Sequence, residues 1–476
     1  MQKKDNKFGL FRLLIIIFIL LLISFFATVV VRSCEFGSLT DNVKPLNAQQ
    51  QTELDNAINA NYPHRNDILK SCIYTNKVGL DLLSESAVIV NVDNGDILYS
   101  KNPDRITPPA SLMKLVQMYI VFEEIKDGRL KLDDTVSLPK ECWASSMPTN
   151  SSLMFLGEGQ NVTVSELLLG LSVASGNDAS YALAYHICGG MDDFIVRMNT
   201  AMLNLGLNHT HFVESSGYSE ENLTTPIEMT AFIRHYLHSY PESLQMFHSV
   251  KTFTYPQSHN LAAADKNKTA AQDFTHGIPK HIWTPVTQKN TNPMLGSYEG
   301  VDGVKTGYID ESGYNLALSA TQDGLRILSV TMGGPGTNLR EGNAGRVHDG
   351  TIVLNWTFST FTQYSDPELY KRYAVPVIRS SKKQIALIPA FTPKTITVSK
   401  RDYTNMQILL ETPTMLSDNV TVGQQYGQIR FVTQVSQNDE LKEIYSIPLI
   451  ADRSSKRAWL WTRLADGLAK GGIKKK

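Results

Sequence analysis

Hydrophobic and polar positions change texture several times along this chain. Near the N-terminus, Leu13 to Val31 runs without a charge, with Lys3, Lys4, Lys7 and Arg12 before it and Arg32 after it. A run of that length crosses a bilayer as a helix. The basic flank places the N-terminus inside and the bulk of the chain outside. Residues 38 to about 75 are polar and rich in Asn and Gln, with one possible helix, and read as a juxtamembrane stalk.

Alternation then begins. Ala87 to Val92 and Ile97 to Tyr99 predict two strands joined by the turn Asp93-Asn94-Gly95-Asp96, a strong hairpin signal. Helical spacing follows from Pro109 to about Lys126, from Ser165 to Ile187 and from Pro226 to Leu237. Strand patterning returns at Gly313 to Ala320 and Leu325 to Met332, and Asp349 to Phe361 reads as a helix. This mixture predicts an α+β fold with helices on an antiparallel sheet.

From about Tyr373 short β-rich runs alternate with turns: Ile385 to Ile388, Thr395 to Val398, Ile408 to Leu410, Ile429 to Val435 and Ile444 to Ile450. They read as a small all-β sandwich. The last segment, Arg457 to Lys476, reads as a basic amphipathic helix carrying Trp459, Trp461, Leu464 and Leu468. Two partners for its apolar face stay open, an anionic membrane surface and the protein itself.

Composition narrows the picture. With 476 residues, 42% of them hydrophobic, the chain has room for two cored domains. A net charge of -1 gives no overall attraction to nucleic acid, and none is expected as a partner. Cys72, Cys142 and Cys188 form no ligand pair and no framework, so no metal is expected and these thiols read as buried. A retained signal anchor is the expectation for the N-terminal run. The alternatives are cleavage after Val31-Arg32-Ser33 or lipidation of Cys34.

The candidate chemistry sits at Pro108-Pro109-Ala110-Ser111-Leu112-Met113-Lys114. Proline favours a helix start there, and residues three apart share a helix face, so the Lys114 amine can reach the Ser111 hydroxyl. Serine becomes a useful nucleophile once a base takes its proton, and lysine serves if its pKa is lowered. Two further groups follow in order, Ser175-Gly176-Asn177 and Lys305-Thr306-Gly307. Ser175 can relay a proton to a leaving amine, Asn177 can bind a substrate amide, and Lys305 with Thr306 can hold a carboxylate, with Gly307 leaving room for a substrate strand. Two look-alikes, Ser380-Ser381-Lys382-Lys383 and Ser417-Asp418-Asn419, lie in the β-rich region in the wrong order and read as turns.

With S-x-x-K, S-x-N and K-T-G in this order, the sequence resembles the low-molecular-mass penicillin-binding proteins, the serine-type D-alanyl-D-alanine carboxypeptidase family, over roughly residues 86 to 450. The resemblance implies a transpeptidase-like domain at 76–370 and a β domain at 371–450, between an anchor or signal segment at 1–37 with a stalk at 38–75 and an amphipathic helix at 451–476. It implies a membrane-held enzyme on the outer face, acting on the D-Ala-D-Ala terminus of peptidoglycan stem peptides, inhibited by β-lactams and needing no cofactor. Ser111 would be acylated, and the backbone N–H groups of Ser111 and Tyr308 would form the oxyanion hole.

The chain departs from the pattern in two places. Asn290-Thr291-Asn292 stands where many relatives carry an arginine, and Trp356 to Phe361 holds no arginine either. A loop of unusual length, about Gln257 to Trp283, precedes the K-T-G and lies where it can shape a cleft rim. A D,D-endopeptidase, a class A β-lactamase using one of Glu214, Glu220 or Glu221, and an inactive wall-binding module are the competing readings.

Overall fold

The computed structural model describes residues 5–40, 43–266, 268, 274–275, 278–279, 281–434 and 440–470. Contacts divide the chain into two compact units, Ile68–Gln363 and a second that joins Met1–Asp67 to Tyr364–Lys476. In chain order the elements used below begin with helices α1 (Asp5–Gly37) and α2 (Ala48–Asn61) and the hairpin β1 (Ser86–Asn91) and β2 (Asp96–Lys101). Then come α3 (Lys114–Lys126), α4 (Val164–Leu169), α5 (Asn177–Cys188), α6 (Met191–Asn204) and α7 (Pro226–Ser239). They are followed by β3 (Val301–Ile309), β4 (Gly313–Gln322), β5 (Leu325–Gly334) and α8 (Leu339–Thr360). The second unit adds β6 (Tyr373–Ile378), β7 (Gln384–Pro389), β8 (Met406–Glu411), β9 (Gln425–Thr433), β10 (Lys442–Ala451) and α9 (Leu460–Ala469).

The larger unit is the expected α+β arrangement. Its sheet runs Lys70–Ser71, β2, β1, β5, β4, β3, with every pair except the first antiparallel. Every residue of β1 is buried, because the strand is central and covered on both faces. The Asn94-Gly95 turn is present, with Gly95 at φ 80° and Asn94 Oδ1 accepting from the Asp96 N–H at 2.9 Å. Helix α3 is buried nearly all round and packs its Leu115, Val116, Met118 and Val121 into the main core with α5, α6 and α7. The strand β3 forms one edge of the sheet, and side chains take several of its edge carbonyls: Asn292 that of Gly303, Lys305 that of Thr306 and Arg346 that of Gly307.

Two helices differ from the sequence reading. The stretch Ser165 to Ile187 is not one helix: α4 runs into a wide turn at Gly170–Ala174, and the chain breaks at Ser175, held at φ 58°, before α5 begins. Apolar spacing continues through the break because both halves bury their faces in one core. Helix α8 begins ten residues earlier than expected, at Leu339 rather than Asp349, capped by Asn338. Its first half carries Gly342 and Gly345, which dilute the apolar signal.

In the smaller unit the β-rich region forms a six-stranded sheet ordered β8, β9, β10, β7, β6 and Leu416–Ser417. The stretch expected as a stalk contains α2, whose Leu54 is buried with Ala390 and Ile450 and whose Asn61 donates to the Gly423 carbonyl at 3.0 Å. That helix belongs to the fold of the β unit. Helix α9 turns Ala465, Asp466 and Ala469 inward; the final stretch of the expected amphipathic helix, 471–476, lies outside the described residues. Of the three thiols expected to be buried, Cys142 is, and the expectation is corrected for Cys72 and Cys188, which are half-buried.

Candidate active site

Ser111 sits in a single tight turn, Ala110–Met113, immediately before α3. In such a turn side chains three apart eclipse one another, so Lys114, the first residue of α3, stands directly over Ser111. The distance from Lys114 Nζ to Ser111 Oγ is 2.8 Å. Nζ also meets Asn177 Oδ1 at 2.8 Å and the Ser216 carbonyl. Neutral lysine has two N–H bonds and one lone pair, and this geometry uses all three. Asn177 and Ser216 accept from the N–H bonds, which leaves the lone pair facing the Ser111 hydroxyl. Burial lowers the Lys114 pKa to about 7, while Glu214 and Asp178 oppose the shift with their charge.

The surroundings explain how that environment is made. Ala110 adopts φ 48°, which turns Ser111 out of the core to half-burial. Gly217, at φ 80°, packs so closely that a Cβ there would lie 2.2 Å from the Ala110 carbonyl oxygen. Glu214 builds the loop that contains it, accepting from the Ser216 N–H at 2.5 Å, the Ser216 hydroxyl at 2.6 Å, the Gly217 N–H at 2.7 Å and Asn222 Nδ2 at 2.6 Å. Gln117 ties the loop to the helices by donating to Ser180 Oγ and to the Ser215 carbonyl. We expect Gly217→Ala to slow acylation by penicillin about 100-fold, because a shift near 1 Å at the reacting serine is enough for that; stopped-flow acylation of the folded variant measures it.

Ser175 and Asn177 arrive from the break between α4 and α5, both buried. Asp178 pins that break: its carboxylate accepts from the N–H groups of Met154 (2.8 Å), Phe155 (2.8 Å), Leu156 (2.9 Å) and Ala179 (3.0 Å). On the opposite wall β3 carries Lys305, Thr306, Gly307 and Tyr308. A Cβ on Gly307 would lie 3.1 Å from the Ser111 backbone nitrogen and 2.9 Å from the Pro109 carbonyl oxygen, so only glycine lets β3 lie against the serine turn. All three motifs thus meet at Ser111. Tyr308 is exposed and stacks on Tyr314 at 4.2 Å.

Lys305 is buried, and its Nζ donates to the Thr306 carbonyl at 3.0 Å. Burial, with Lys114 and Arg346 nearby, pushes its pKa well down, so an incoming anion relieves an unfavourable positive field. Thr306 Oγ1 donates to Thr291 Oγ1 at 2.7 Å, so the residue that departs from the family pattern touches the K-T-G directly.

Sequence reasoning missed several members of this site. Arg346 enters from α8, upstream of the Trp356 to Phe361 stretch where an arginine was sought. It donates to the carbonyls of Gly307 (2.6 Å) and Asn315 (3.1 Å) and to Asn343 Oδ1 (2.8 Å), bridging β3 and β4. His248 lies buried behind β3, between Ser172 Oγ and Tyr236 Oη, kept neutral by burial that lowers its pKa to about 3. Neither stands in a motif, and both act across long sequence separations. Glu214, one of three candidates for a deacylating glutamate, is occupied by its own loop, while Glu220 and Glu221 are exposed. The look-alike serines Ser380 and Ser417 lie in the other unit. The long loop falls partly outside the described residues; Ile282, at its end, packs with Ala144, Met147 and Leu153.

Fold and site together define an α+β serine hydrolase of the penicillin-binding class. The sequence matches the family model described as D-alanyl-D-alanine carboxypeptidase over residues 74–336. The D-alanyl-D-alanine carboxypeptidase DacF of Bacillus subtilis (strain 168) is 30% identical over 387 residues, 80% of this chain and 88% of that protein. DacA of Haemophilus influenzae is 30% identical over 322 residues, 67% of this chain and 73% of that protein. Among solved structures, penicillin binding protein 5 from Haemophilus influenzae superposes with a TM-score of 0.64 at 27% identity, covering 80% of this chain and 99% of that one. The chain belongs to the serine-type D-alanyl-D-alanine carboxypeptidase family.

Proposed function

We propose that this protein removes the terminal D-alanine of peptidoglycan stem peptides through an acyl-enzyme on Ser111. The observation that carries the reading is the buried Lys114 amine 2.8 Å from Ser111 Oγ, with its other two contacts already filled. Lys114 takes the hydroxyl proton as Oγ attacks the carbonyl between the two D-alanines. The backbone N–H groups of Ser111 and Tyr308 hold the oxyanion. Ser175 passes a proton to the departing amine, and Asn177 binds the peptide amide. Water then attacks the ester and frees Ser111, while a β-lactam forms the same ester and leaves slowly.

Lys305 and Thr306 receive the terminal carboxylate. Arg346 uses three of its five N–H bonds on the protein, so it holds the geometry of β3 and β4 and adds positive charge beside the carboxylate site. The extended substrate lies along the edge strand β3. Helix α1 spans the cytoplasmic membrane, and the catalytic unit lies on its outer face, where peptidoglycan is found. An apolar helical stretch at Gly9–Gly37, long enough to cross a bilayer, supports this placement.

The test is to incubate detergent-solubilised full-length protein with fluorescent penicillin, digest it, and locate the adduct by mass spectrometry, with D-alanine release from a D-Ala-D-Ala pentapeptide measured in parallel. The expected result is an adduct on the Ser111 peptide and free D-alanine. Cleavage of cross-linked dimers without D-alanine release would favour the endopeptidase, and absence of any adduct would refute the enzyme reading.

A further inference from the structure

We infer that α1 stays in the mature protein and that α9 clasps its outward end, so that the two ends of the chain form a single two-helix membrane anchor. This rests on reading α1 as a membrane span. It concerns the unit that does not carry Ser111.

The joint is a buried, bidentate ion pair between residues at opposite ends of the sequence. Arg32 Nε lies 2.5 Å from Asp466 Oδ1, and Arg32 Nη2 lies 2.9 Å from Asp466 Oδ2. Asp466 is fully buried and Arg32 is 8% exposed. The β unit closes the same knot, since the Arg379 N–H donates to Asp466 Oδ2 at 2.7 Å and Lys383 pairs with Glu35, itself a partner of Arg32. Apolar contacts flank the pair on both sides. Phe25 meets Trp461 edge-on at 5.1 Å, and Phe36 is buried with Ala469 and Ile378. The contacts advance together along both helices, so α9 runs alongside the last turns of α1 in the same direction.

The matched charge favours retention of α1. A buried aspartate is tolerated when its charge is matched and its oxygens are hydrogen-bonded, and is costly otherwise. Cleavage after Ser33 would carry Arg32 away and leave Asp466 with the Arg379 N–H for its charge. An α9 that served only as a free surface-lying helix would have no use for an aspartate on its inward face.

The outward face of α9 identifies what covers it. Leu460, Leu464 and Leu468 form an i, i+4 row with exposures of 59%, 52% and 63%, and Trp459 before them is 78% exposed. Phe25, the partner of Trp461, precedes the end of the apolar run by six residues, which at 1.5 Å each is about 9 Å inside the bilayer. The first turn of α9 therefore enters the outer leaflet beside α1, where Leu460 and Leu464 meet acyl chains, and Leu468, beyond the level of Arg32, lies among the headgroups.

The experiment uses full-length protein in membranes of the expressing cells. Mass spectrometry of the mature chain is expected to retain residues 13–37; a chain starting at or beyond Cys34 overturns the inference. In a Cys34→Ser background, Phe36→Cys with Ala469→Cys is expected to form an internal disulfide on mild oxidation. Adding Arg32→Asp or Asp466→Arg should lower the linked fraction by about tenfold or more, and combining the two reversals should restore it. Absence of the link in folded protein, or indifference to the single reversals, overturns the clasp. Release of the wild-type protein by alkaline carbonate overturns the membrane reading beneath it. Penicillin acylation, read on every variant, should stay within about twofold of wild type, because Ser111 lies in the other compact unit; failure of the clasp therefore leaves the enzyme reading untouched.

Discussion

Replacing Lys114 with alanine is expected to slow acylation of Ser111 by about 10⁴-fold, the upper range for loss of a positioned general base. The fold should survive, because the lost amine takes its own charge with it. Asn177 Oδ1 and the Ser216 carbonyl would each lose one donor. Lys114→Arg separates charge from basicity: a guanidinium keeps the positive field but does not give up its proton near neutral pH. It should be as inactive as alanine at every pH tested. If arginine supported acylation, Lys114 would be an electrostatic residue and not the base.

The same lysine sets the pH profile. The reactive form is neutral, and burial brings its pKa to about 7. Acylation should therefore climb as pH rises through about 7 and level off above it, with about a tenth of the full rate at one pH unit below. A solvent-exposed lysine would place that rise above pH 10. Stopped-flow acylation between pH 5.5 and 9 separates the two, and a flat profile would exclude Lys114 as the titrating base.

Much of this site was legible in the sequence because each motif makes a local demand. Ser111 and Lys114 are three apart at a proline-marked helix start, and the structure converts that spacing into contact through one tight turn. Lys305-Thr306-Gly307 announced itself by composition, although its strand did not, since β3 is too polar at its middle to show alternation. The hairpin of β1 and β2 was readable from Asn94-Gly95. The environment that tunes the chemistry was not. Ser216 contributes a carbonyl, which no side-chain pattern reveals, and Arg346 reaches the Gly307 carbonyl from α8. The break at Ser175 was hidden because apolar spacing ran through it; the left-handed φ of a single serine has no periodic signature. The partner of α9 was left open for a related reason. Apolar spacing marks Leu464 and Leu468, which stay exposed, and gives no sign of the inward face on which Asp466 meets Arg32.

Asp178→Ala is expected to destabilise the catalytic unit by about 3 kcal/mol or more, the lower end of a count of the donors it would orphan. Met154, Phe155 and Leu156 point their N–H groups at this one carboxylate from a segment with no regular structure of its own. Asp178 is fully buried, so water does not replace it, and a buried N–H left without an acceptor costs about 1 to 3 kcal/mol. Burial holds the Asp178 pKa above the ordinary aspartate value in spite of those four N–H groups, a sign of how dry the position is. Asp178→Asn keeps one acceptor oxygen of the same shape and should lose roughly half as much stability, although its amide nitrogen would face at least one N–H. Urea unfolding of the two variants gives the comparison, and acylation should fall with stability because Ser175 and Asn177 stand on the same break. Equal stability of the alanine variant and wild type would mean that the Met154 to Leu156 segment finds other acceptors, and that Asp178 acts only through its charge on Lys114.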